Sequence, residues 1–154
     1  FMVTNPEFYI DSLKSISFET FTIHVETQEN SVALLTKIKT FSRNAGISLR
    51  PSTELSTLTD DILKTCGLVL VMSVEPGFGG QAFMPSSINR IKELAKRRKD
   101  LGANFLIEVD GGVNQDNCLD IINAGADVLV AGSAVFKGNS TDYLNNINSL
   151  RGLN

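Results

Sequence analysis

Apolar positions along the chain recur in two periods that take turns. Spacings of three and four predict helices, strict alternation predicts strands, and little sequence is left between them, which is the pattern of βα units on a parallel sheet. Phe1 to Val3 read as the tail of a strand. Thr4-Asn5-Pro6-Glu7 then supplies a capping residue and a proline for the first helical turn, followed by Tyr9, Leu13 and Ile16 at helical spacing. Thr20 to Glu26 alternate as a strand, and Ser31 to Asn44 carry Leu34, Leu35, Ile38 and Phe41 on one helical face, with Ala45-Gly46 as the expected C-terminal cap. Ile47 to Pro51 is a short strand, and Glu54 to Lys64 a helix with Leu55, Leu58 and Ile62 inward. Leu68 to Val74 is a strand, Ser87 to Lys99 a helix buried along Ile88, Ile91 and Leu94/Ala95, and Phe105 to Asp110 a strand. A helix capped by Asn114 and running through Asn123, a strand from Asp127 to Gly132 and a helix from Thr141 to Leu150 complete the pattern.

Such a repeat builds either an open doubly wound sheet or a closed (β/α)8 barrel. In "FLIEVD" Phe105, Ile107 and Val109 oppose Leu106, Glu108 and Asp110; in "FTIHVE" Phe21, Ile23 and Val25 oppose Thr22, His24 and Glu26. Strands sandwiched between two helical layers are apolar on both faces. Here one face turns polar toward the C-terminal end, which favours a barrel whose interior opens into a site.

The 154 residues suffice for one domain, whereas a (β/α)8 barrel takes about 250. The expectation is therefore a single domain, residues 1–154, forming the C-terminal part of an incomplete barrel. Composition, 42% hydrophobic and 20% charged, is that of a soluble globular protein, and no apolar run approaches the ~20 residues that cross a bilayer. A cytoplasmic protein without membrane association is expected. The net charge of −3 argues against nucleic acid as a partner, because such surfaces need a basic stripe. Lys96-Arg97-Arg98-Lys99 is the one basic cluster and falls at a helix end, where cations face the negative pole. Cys66 and Cys118 have neither metal-ligand nor disulfide spacing and are expected as core fillers.

Chemistry concentrates at strand ends. Asp110 ends its strand before Gly111-Gly112, where a carboxylate serves equally as acid or base or as the cap of an Asx turn. Glu108 lies one step deeper, in a polar interior row. Gly132-Ser133 ends the next strand, and two adjacent glycine turns present bare N–H groups that hold phosphate without a cation. "EPGFGGQ" lacks the Lys-Ser/Thr of a nucleotide phosphate loop, but Phe78 among its glycines suits a lid that excludes water. His24, the only histidine, cannot form a zinc site alone and reads as a hydrogen-bonded inner-face residue. Met72 precedes the lid.

"MVTNPEFYI", "FTIHVE", "LVLVMSVEPGFGGQAF", "IEVDGGVNQDN" and "GADVLVAGSAVFKG" together resemble the ribulose-phosphate 3-epimerase family and cover nearly the whole chain. The resemblance implies an enzyme interconverting D-ribulose 5-phosphate and D-xylulose 5-phosphate in the pentose phosphate pathway. It implies two aspartates acting from opposite sides of C3 through an enediolate held by a divalent metal, zinc or iron. Asp110 matches one aspartate and a metal ligand; Gly77, Phe78, Gly79 and Gly80 match the loop over the substrate. Gly111, Gly112, Gly132 and Ser133 match the phosphate site, and Met72 a methionine lining it. The family's first three strands, with its second aspartate, two metal histidines and a serine, have no counterpart here, and His24 matches neither ligand position. The expectation is thus a portion inactive by itself. The alternatives are a shortened, non-catalytic sugar-phosphate binder that associates through open sheet edges as a homo-oligomer, and an allulose-6-phosphate 3-epimerase.

Overall fold

The computed structural model describes residues 1–27, 29–75, 77 and 80–152. Five parallel strands, β1 (Phe18–His24), β2 (Ser42–Leu49), β3 (Leu68–Met72), β4 (Leu106–Asp110) and β5 (Val128–Val130), lie in the order β1-β2-β3-β4-β5. Helices α1 (Pro6–Leu13), α2 (Ser31–Ile38), α3 (Asp60–Thr65), α4 (Ser87–Asp100), α5 (Cys118–Asn123) and α6 (Tyr143–Leu150) precede, connect and follow them. Strand order that never reverses excludes the doubly wound alternative, in which order switches at the binding crevice. The chain forms five consecutive strands of an incomplete (β/α)8 barrel.

Pairing arranges the sheet in rows. On the outer face Ile23, Ile47, Val69 and Ile107 align, as do Leu49, Val71 and Val109, and all seven are fully buried beneath the helices. On the inner face His24, Ser48, Leu70, Glu108 and Val128 form one row. One step toward the C-terminal end, Met72, Asp110 and Val130 form the next. Inner-face Leu106 and Val130 remain 44% and 39% exposed, so the helical layer covers one side only.

Several boundaries depart from the sequence pattern. Residues 1–3 are not a strand; the Phe1 ammonium instead donates to the Thr22 carbonyl at 2.7 Å and its ring stacks on Phe21. Helix α1 turns Ile10 inward and leaves Tyr9 and Ile16 exposed. Helix α2 stops at Ile38, and Ala45-Gly46 belong to β2 instead of capping it. Gly46 is there because it pairs with Thr22, whose hydroxyl a Cβ would overlap. The helix expected over 54–64 is a 3-10 turn followed by α3, capped by Thr59; Arg97 of α4 takes the freed carbonyls of Leu55 and Leu58. Residues 115–117 are turn, and the helix starts only at Cys118.

The basic cluster is spent inside the fold. Arg97 also meets Asp60, while Arg98 donates to the Phe105 carbonyl, pairs with Asp127 and stands over the Phe105 ring. Both cysteines are free and buried, and burial pushes the Cys66 thiol up to about 12, in keeping with the core-filling role expected of it.

Candidate active site

The C-terminal ends of β3, β4 and β5 enclose a cavity of ≈ 530 Å³. It brings together Met72, Asp110, Gly111, Gly112, Gly132 and Ser133, all singled out from the sequence, along with Gly77 and Gly80 of the glycine loop. Phe78 and Gly79, the other two residues expected in that loop, lie outside the described residues. Met72 is 2% exposed and floors the cavity beside its register partner Asp110.

Asp110 is half-buried, and burial raises its carboxyl above the ordinary aspartate value. Glu108, two residues earlier on the same face, is raised as well, first by burial and then by the negative charge of Asp110. A carboxylate partly stripped of water and without a cation against it is a stronger base than a solvated one, so Asp110 suits proton abstraction.

The backbone around Asp110 is held by Ser73 and Asn117, which the sequence pattern did not single out, and by Asn114, which it read as a helix cap. Ser73, fully buried, donates its N–H to the Asp110 carbonyl at 2.8 Å, and its hydroxyl lies 2.9 Å from that oxygen and 2.7 Å from the Gly111 carbonyl. The only signal was a lone hydroxyl in an apolar strand end. On the far side, Asn114 and Asn117 both donate to the Gly112 carbonyl, at 3.2 and 3.0 Å. Asn114 is thus an anchor of the turn and not a helix cap. Gly112 has φ +64, and a Cβ there would sit 2.2 Å from the Phe83 nitrogen. Glycine is required both by the conformation and by the close passage of residues 81–83.

Across the cavity, the Gly132 carbonyl accepts from the N–H groups of Val135 and Phe136, closing a turn at the end of β5. The N–H groups of Gly112, Gly132 and Ser133 donate to no acceptor among the described residues. Among the described residues no Lys or Arg lines the cavity, so an anion entering it is met by peptide dipoles and the Ser133 hydroxyl. Glu75, also unforeseen, contributes a second carboxylate to the lining, and its carbonyl accepts from the Gln81 side chain at 2.7 Å across the base of the glycine loop.

His24 lies outside this cavity, buried on the inner face with Nδ1 3.1 Å from Glu26. Among the described residues no three His, Cys, Asp or Glu side chains converge to hold a metal, and no helix is long and apolar enough to cross a membrane.

The model of the ribulose-phosphate 3 epimerase family matches residues 1–136. The chain is 37% identical over 152 residues to a ribulose-phosphate 3-epimerase of Synechocystis, covering 97% of this chain and 65% of that protein. It is 39% identical over 153 residues to a chloroplastic ribulose-5-phosphate-3-epimerase of Arabidopsis thaliana, covering 97% and 53%, and 40% identical over 130 residues to the Escherichia coli K12 ribulose-phosphate 3-epimerase, covering 84% and 56%. The chain therefore spans between about half and two thirds of these relatives. A 3-hexulose-6-phosphate synthase structure superposes with TM-score 0.61 at 16% identity, over 96% of this chain and 67% of that one, a likeness of fold.

Proposed function

Because the chain belongs to the ribulose-phosphate 3-epimerase family, we propose that it carries the phosphate site and one proton-transfer group of an enzyme interconverting D-ribulose 5-phosphate and D-xylulose 5-phosphate. The observation that carries this reading is the placement of Asp110 between two glycine turns in one cavity. A ketose phosphate bound by the N–H groups of Gly112, Gly132 and Ser133 lays its carbon chain over Met72, toward Asp110. Asp110 then takes the C3 proton, leaving an enediolate, and burial that raises its carboxyl matches it to that task. Gly77 and Gly80 border the cavity at the segment that the family resemblance assigns to a loop over the substrate, where exclusion of water would serve the reaction. Inversion at C3 needs a second group on the opposite side, which the family resemblance places before Phe1.

A divalent metal, zinc or iron, belongs to the proposal only in part, because the described residues do not make a metal site. Asp110 would lend one oxygen; the remaining ligands lie outside the described residues, and such an ion supplies charge stabilisation to a developing oxyanion. The reading takes residues 1–154 as the C-terminal part of one barrel domain, in the cytoplasm, self-associating. Open edges on β1 and β5 belong to the alternative reading, a shortened sugar-phosphate binder, because in a complete barrel preceding strands pair with both.

The test is exchange of the C3 hydrogen of D-ribulose 5-phosphate with D₂O, followed by NMR on the full-length protein alongside D-allulose 6-phosphate. Exchange with formation of D-xylulose 5-phosphate supports the reading. Faster exchange of the hexulose moves the substrate assignment, and binding without exchange identifies a non-catalytic sugar-phosphate binder.

A further inference from the structure

We infer that Arg50 is a substrate-binding residue of this site, holding the sugar oxygens at the end of the ketose phosphate remote from its phosphoryl group; this rests on the epimerase reading. Leu49 pairs with Val71 as the last residues joined between β2 and β3, so Arg50, immediately past the end of β2, continues that register toward Met72, which pairs in turn with Asp110. Alternation carried one residue past the end of β2 puts Arg50 on the side of Ser48, the inner one. Strand spacing sets it about 10 Å from Asp110 across Met72. The phosphate turns lie at Asp110 and beyond, on β4 and β5. Arg50 therefore faces the opposite end of a ligand that lies across these strands.

Its backbone is clamped from both sides. The N–H donates to Glu26 Oε1 at 2.7 Å, and its carbonyl accepts from Arg90 Nη2 at 3.1 Å, while Arg90 Nη1 takes the Pro51 carbonyl at 3.2 Å. Thr53 donates to the same Glu26 oxygen at 2.6 Å. The guanidinium is exposed and has no side-chain or backbone partner among the described residues, whereas Arg43, Arg90, Arg97 and Arg98 are each committed to a carboxylate or a carbonyl. The fold thus fixes where the side chain starts and leaves its charged end unspent.

Arg50 stands outside the lining of the cavity, and its charge answers a deficit there: among the described residues the lining includes Glu75 and Asp110 and no cation, so the guanidinium reaches a ligand that extends from the cavity past Met72. Loss of the C3 proton puts negative charge on substrate oxygen. A forked guanidinium, charged at every working pH, can donate to two neighbouring oxygens at once and stabilises that charge more than the ground state.

The experiment uses the full-length protein. R50M should lower kcat for C3 exchange by about 10²–10³-fold, with a smaller change in KM and an unchanged Tm, and R50K should recover part of it. In wild type, D-ribulose 5-phosphate should protect Arg50 from phenylglyoxal, read by mass spectrometry, but not Arg151, which also lacks a side-chain partner among the described residues. Unchanged kcat in R50M together with unprotected Arg50 overturns the inference while leaving the epimerase reading intact. Protection of Arg50 in a protein that performs no exchange does the reverse: the binding role stands and the epimerase reading falls.

Discussion

Ser73 holds Asp110 by the main chain: its N–H and its hydroxyl both meet the Asp110 carbonyl, at 2.8 and 2.9 Å, from 37 residues away in sequence. The proposed base is thereby fixed at the end of β4 while its carboxylate has no hydrogen-bond partner among the described residues and stays free to take a proton. S73A leaves the Gly111 carbonyl without its hydroxyl partner and should cost about 1–3 kcal/mol of stability. Urea unfolding of S73A measures this, and kcat should fall more than KM changes; unaltered stability would mean the hydroxyl does not hold the turn.

D110N should lower C3 exchange by at least about 10²–10⁴-fold while sugar-phosphate binding persists. Because burial raises the Asp110 carboxyl above its ordinary 3.8, kcat/KM should climb with pH through a midpoint above that value. A midpoint at or below it would mean another group sets the acid limb.

G112A forces φ +64 on a residue with a Cβ and drives that atom into the Phe83 backbone. The conformational part alone costs about 1–2 kcal/mol. Melting temperature should drop and KM for the sugar phosphate rise, since the displaced N–H belongs to the proposed phosphate site. G132A, where a Cβ meets nothing within 4 Å, is the control and should melt like wild type.

Two inner-face carboxylates should move stability in opposite directions with pH. Glu108 is raised in the folded state by burial and by Asp110, so its charged form penalises folding above the raised value, and the penalty vanishes as pH falls below the unfolded 4.5. E108Q should therefore be more stable than wild type at pH 7–8 and lose that advantage at low pH. Glu26 is lowered, its burial being outweighed by hydrogen bonds from the Arg50 N–H, Thr53 and His24, so its contribution is present above 4.5 and lost as pH falls through the lowered value. E26Q should be less stable at neutral pH and converge with wild type in acid. Urea titrations at several pH values separate the two; parallel curves for both variants would refute the assignment.

Arg90 tests the clamp beneath Arg50. R90M leaves the carbonyls of Arg50 and Pro51 without their donor and should destabilise by about 1–3 kcal/mol. Unlike R50M, it should lower Tm, which distinguishes holding the β2 exit from contacting substrate.

Alternation and helical spacing by themselves determined the order of the five strands and of the helices between them, the apolar outer face through Ile23, Ile107 and Val109, and the strand-end positions of Asp110, Gly111, Gly112, Gly132 and Ser133, which the cavity brings together with Met72. They did so because side-chain direction along a strand or helix is a local property of the backbone. Where α2 ends, why Gly46 lies within a strand, how Ser73 and Asn117 pin the Asp110 to Gly112 turn, and that Met72 pairs with Asp110 were decided only by the tertiary structure. Each depends on register between strands far apart in the chain. A local pattern states which face a residue takes, but the neighbour it meets there is set by pairing and packing.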